Sequence, residues 1–173
     1  MTWDVAGIKG GWRDWTPLFS NGTDQWDASY MTKTGRFTVV EGTVYAFGRC
    51  TLDGVTNQTN YGTGTGVWQL WTPSEMPGYP DASSGGRHVG TGYVYSGVTA
   101  KSAILMVNAV NTFDGFFYFN MIKYKTGGGG NWAGGIHENI DFNRANLSAL
   151  ADGTNSIVFS WYMKYIAKST YSG

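Results

Sequence analysis

Between Thr43 and Leu52 apolar and polar positions alternate with a period of two. Val44, Ala46, Gly48, Cys50 and Leu52 share one face of an extended strand, and Thr43, Tyr45, Phe47, Arg49 and Thr51 the other. The first set is small and apolar and suits a core. The pair Glu41-Gly42 joins this strand to the run that starts at Gly35, which predicts a hairpin with Phe37 and Val39 on one face. Gly42 supplies the positive φ that a tight connection needs.

The same strand-and-turn texture continues from Ala28 onward, in short segments rich in Val, Ile, Thr and aromatic residues and separated by Gly, Asn, Asp and Pro. Further strands are predicted at Gly66 to Trp71, Val89 to Val98, Lys101 to Val110, Phe116 to Tyr124 and Ser156 to Ile166. Turns fall at Tyr95 to Lys101 and at Asn111 to Gly115, where Asp114-Gly115 is a favoured hairpin pair. Hairpin follows hairpin, without the alternating helices of a parallel sheet. The predicted fold is therefore all-β, an antiparallel β-sandwich or jelly roll of about eight strands. Only Glu138 to Ala151 hints at helix. Asn139, Asn143 and Asn146 weaken it to one short turn near Asn143 to Leu150.

Residues 1–22 show neither period, and they carry Trp3, Trp12, Trp15 and Phe19 among glycines. They read as an extended N-terminal arm preceding a β domain over residues 23–173. Four large rings left in water are unfavourable by about 25 cal/mol per Å² of apolar area. The arm is thus expected to lie against its own domain or a neighbouring subunit, with these four residues as a candidate particle-docking element. Two connections stand out. Thr72 to Gly92 holds Pro73, Pro77 and Pro80, and Thr126 to Gly135 holds the run Gly127 to Gly130.

Composition changes the picture in one respect. Twelve basic and twelve acidic residues leave no net charge, and charged residues make up 14% of the chain, against roughly 25% in ordinary soluble domains. No long-range field attracts nucleic acid or an anionic membrane. A surface covered by neutral polar and aromatic side chains favours association, which fits a subunit of a larger assembly. The start of the chain lacks a basic segment followed by an apolar one, so no secretory signal is expected. No apolar run approaches the ~20 residues of a transmembrane helix, and no membrane insertion is expected.

Catalytic chemistry finds little support. Cys50 is a single cysteine and reads as a small buried strand residue. His88 and His137 lie in or beside the two flexible connections without a cysteine partner, so no metal is expected. Ser83, Ser84 and His88 are close in sequence but sit in a glycine-rich loop that would not preorganise a nucleophile. The glycines Gly62, Gly64 and Gly66 open a strand and not a helix, unlike a phosphate-binding loop. Most carboxylates fall in predicted turns, where Asp is explained by local hydrogen bonding. The chain reads as a non-enzyme without a cofactor. A carbohydrate-binding module with sugar stacked on Tyr61, Tyr79 or Trp132 is an alternative, and a glycan hydrolase a weaker one.

The order of motifs carries a resemblance. Trp15-Thr16-Pro17 and Tyr30 precede GRFTVVEGTVYAFGR from Gly35; GTGTGVWQLWTP from Gly62 and SIVFSWYMKYIA from Ser156 follow. Together, over Trp15 to Ala167, they resemble the C-terminal β domains of bacteriophage tail and tail-fibre proteins, particularly those of phages of Gram-positive, actinobacterial hosts. Where such domains read Leu-Pro after the glycine-rich strand, this chain has Leu70 to Pro73. The resemblance implies a homotrimeric virion appendage made in the host cytoplasm, its partners being copies of itself, other tail or capsid proteins and a host-surface glycan. Minor tail protein, receptor-binding protein, capsid decoration and head fibre are the roles it leaves open.

Overall fold

The computed structural model describes residues 11–20, 31–52, 68–73, 76, 87–96, 102–109, 116–125, 136–141, 144–151 and 156–167. They form the strands β1 (Arg13–Trp15), β2 (Leu18–Ser20), β3 (Met31–Val40), β4 (Thr43–Leu52), β5 (Gln69–Trp71), β6 (Arg87–Ser96), β7 (Ser102–Ala109), β8 (Phe116–Lys125) and β9 (Ile136–Asp141). The helix α1 (Arg144–Ala151) and the strand β10 (Ile157–Ile166) complete the described elements. All ten strands belong to one antiparallel sheet in the order β1-β3-β4-β10-β6-β7-β8-β5-β2, with β9 also paired to β8. The fold is all-β, and the sheet is curled.

The alternation in β4 produces the expected burial. Val44, Ala46, Cys50 and Leu52 are buried, and Phe47 and Arg49 are exposed. Glu41 and Gly42 connect β3 to β4 with φ of 48° and 74°, and Val40 lies opposite Thr43. Two positive φ values define a type I′ turn, whose twist matches that of the flanking strands. The hairpin sequence β6-β7-β8 is also as expected, and α1 falls where a helical turn was anticipated.

Three features differ. First, residues 13–20 are not a separate arm, because β1 pairs with β3 at one end of the strand path and β2 pairs with β5 at the other. Second, β6 spans Arg87–Ser96 where a strand was expected from Val89 to Val98, so its start shortens the connection expected from Thr72 to Gly92. Third, Ile136–Asp141, read as loop and weak helix, is a strand because it pairs with β8 from Asn120 to Lys125. A free sheet edge offers six residues a ladder that no local propensity announces.

Aromatic rings fill the concave side. Phe19 is completely buried, with its ring centroid 5.3 Å from Phe159, 5.7 Å from Trp161 and 5.8 Å from Phe119. The contacts with Phe159 and Trp161 are edge-to-face, and such pairs add about 0.5–1.5 kcal/mol each beyond area burial. Strands β2 and β8 thus face β10 across the core. One inner row runs Trp15, Gly35, Gly48, Trp161, Gly92 across five neighbouring strands. The Trp15 indole covers Gly35 and the Trp161 indole covers Gly48, each in the space a Cβ would occupy.

Two stability measurements check this core. Phe19→Ala is expected to lower unfolding free energy by about 3–5 kcal/mol, read from the shift in urea midpoint. Gly48→Ala, which drives a methyl group into the Trp161 ring, is expected to cost about 1–3 kcal/mol. A variant at either position with unchanged midpoint would contradict the packing described.

Candidate functional site

The inner row dictates what lies outside it, because side chains alternate faces along each strand. In one outer row Arg36, Phe47, Tyr162 and Thr91 lie opposite one another across β3, β4, β10 and β6. In the next row Thr34, Arg49, Ser160, Tyr93 and Ile104 follow in the same way across β3, β4, β10, β6 and β7. Large rings on this face are open to solvent: Tyr93 is 54% exposed, Tyr162 43% and Phe47 40%. Clustered exposed rings, unlike a scattered single residue, make this face a candidate site.

Between these rings lies a groove of about 470 Å³, bounded by Phe47, Arg49, Tyr93 and Tyr162, with Ser160 and Thr91 between the walls. Thr91 Oγ1 donates to the Leu105 carbonyl at 3.2 Å, which leaves its oxygen able to accept from a ligand. The described lining residues include no carboxylate, so they do not set up two-carboxylate glycosidic chemistry. What they offer is stacking faces, hydroxyl groups and one guanidinium.

A second depression of about 500 Å³ adjoins the first, with Thr34 and Phe47 lining both. Here Arg36 Nε meets Asp14 Oδ1 at 2.8 Å, and the guanidinium lies 6.0 Å from the Trp12 ring. The pair is well exposed and worth at most about 1 kcal/mol, but it engages the Arg36 charge. Arg49 has no such partner among the described residues. Lys164 Nζ sits 5.4 Å from the Tyr45 ring, so cations and rings are interleaved along the outer face of β4 and β10.

The four aromatic residues singled out near the start of the chain separate. Trp15 and Phe19 are buried inside their own domain. Trp12 is 45% exposed and packs against Phe47 at 5.3 Å, extending the outer aromatic surface. Trp3 lies outside the described residues, as do Tyr61, Tyr79 and Trp132. Phe47, Arg49, Tyr93 and Tyr162 were not anticipated as a site. The available signal was Phe47, a phenyl ring on the polar face of an otherwise regular alternation.

His88 is exposed on β6, and the described residues contain no group of three His, Cys, Asp or Glu able to hold a metal. Ser83 and Ser84 lie outside the described residues. Cys50 is buried beneath β4; loss of hydration pushes its thiol far up, with a smaller opposing effect from Lys33. No family model, no curated protein and no solved structure matches the chain.

The thiolate is the reactive form of cysteine, so a thiol held neutral by burial is inert. Native protein at pH 8 is expected to resist an aromatic disulfide reagent, and Cys50 to react fully once the chain is denatured. Rapid labelling of the native protein would contradict the burial of Cys50.

Proposed function

We propose that this chain is a recognition subunit of a bacteriophage virion, a homotrimeric tail appendage of the receptor-binding type that presents the outer face of β4, β10 and β6 to the host surface. The observation that carries this reading is the groove between Phe47, Arg49, Tyr93 and Tyr162, where solvent-exposed rings stand on a hydrogen-bonded sheet. Rings on such a support offer large contact area at low entropic cost, which suits sugar faces. Where they lie on described residues, the motifs that resemble phage tail domains fall on β1, β3, β4, β5 and β10, and of these β4 and β10 carry this face.

In the same reading the curled sheet is a β-sandwich of jelly-roll type. Support comes from Thr16-Pro17, since the path from Trp15 to Leu18 spans at most about 10–11 Å, close to the ~10 Å between packed sheets. The subunit is synthesised in the host cytoplasm and assembled onto particles through contacts with other virion proteins. It acts by binding and carries no cofactor.

Quantitative mass spectrometry and immunogold labelling of purified particles test the assignment. A few copies at the tail tip are expected, together with inhibition of adsorption by the purified chain. A copy number matching the capsid lattice would assign the subunit to head decoration instead. Absence from particles would overturn the reading.

A further inference from the structure

We infer that the groove beside Arg49 binds an acidic polysaccharide built from hexuronate sugars, an inference that rests on the surface-recognition reading above. Arg49 is exposed, lines the groove and has no ion-pair partner among the described residues, in contrast to Arg36, which Asp14 engages. No acidic side chain among the described lining residues offsets its charge. Along the outer face of β3, β4 and β10, Arg36, Arg49 and Lys164 face outward, against Asp14 at the edge. A ligand that is neutral leaves this charge unused, whereas an anionic one complements it.

The register places the charge with respect to the stacking surface. Arg49 on β4 lies opposite Ser160 on β10, which lies opposite Tyr93 on β6. Two strand spacings separate Arg49 from Tyr93, roughly 10 Å, and the small Ser160 between them leaves room for one sugar ring. A ring stacked on Tyr93 or Tyr162 holds its hydroxyl groups toward Ser160 and Thr91. The carboxylate of a hexuronate projects from the ring edge, nearly in the ring plane, so stacking delivers it sideways to the guanidinium. The planar fork of arginine pairs with a carboxylate through two parallel hydrogen bonds. A phosphodiester, which sits between sugar units and turns freely, has no such fixed relation to the stacked face.

Affinity electrophoresis and titration calorimetry on the full chain test this, with polygalacturonate, alginate and hyaluronate as uronate probes. Carboxyl-reduced polygalacturonate serves as the neutral control, and polyglycerol phosphate as the other anion. At least one uronate polymer is expected to bind, with carboxyl reduction weakening it by about tenfold or more. Arg49→Ala should weaken uronate binding by a similar factor and abolish the difference in affinity between the acidic and the reduced polymer. Arg49→Lys should restore it in part, and Tyr93→Ala should weaken both polymers. Equal affinity for acidic and reduced polymers, or tighter binding of polyglycerol phosphate, would overturn the uronate assignment while leaving surface recognition intact. So would failure of all three uronates alongside successful inhibition of adsorption. Concentration-dependent self-association abolished by Arg49→Ala would give the face to a second copy of the chain and overturn the inference.

Discussion

Two strands joined by Thr16-Pro17 lie at opposite ends of one sheet, and this short connection constrains the rest of the molecule. Three Cα steps reach at most about 10–11 Å, so the two ends must come together and the sheet between them must curl. Pro17 suits the crossing, since it has no backbone N–H to leave unpaired and biases Thr16 toward an extended conformation. Once across, the chain places Phe19 against Phe119, Phe159 and Trp161, which come from β8 and β10. The curl thus has an energetic counterpart in a shared aromatic core.

The inside of the curl and the site outside it are set by one register. Trp15 over Gly35 and Trp161 over Gly48 require those residues to meet across the strands, and a slip by one residue would turn every ring to the wrong face. The indole Nε1 atoms of Trp15 and Trp161 are buried without a hydrogen-bond partner among the described residues, at about 1–3 kcal/mol each. Burial of two bicyclic rings offsets that cost. With the inner rows held, the outer rows follow, bringing Phe47 to Tyr162 and Arg49 to Ser160 and Tyr93. Core packing and groove geometry are therefore not independent properties of this sheet.

Elements that carry their own local signal were legible in the chain. The alternation in β4, the turn at Glu41-Gly42 and the apolar runs of β7, β8 and β10 each declare a strand within ten residues. The strands β1, β2 and β9 do not, because each is short and exists by pairing with an edge that another part of the chain provides. The position of β10 between β4 and β6 is likewise not readable from hairpin order, which pairs neighbours in sequence and is silent about a last strand inserted at the centre.

The candidate site shows the same division. Phe47 and Arg49 could be assigned to an outward face from the period of β4 alone, and Tyr93 and Tyr162 belong to strands that the apolar pattern also marks. Their meeting could not be assigned, since they come from three strands whose neighbourhood depends on the insertion of β10. By itself the sequence determined the all-β class, the β3-β4 hairpin and which face of β4 points inward, because those depend on residues at most a few positions apart. Tertiary structure alone decided that the N-terminal segment ties both edges of the sheet and that a guanidinium stands across a groove from two tyrosines. Both depend on contacts between residues far apart in the chain, and nothing in the local pattern encodes such distances.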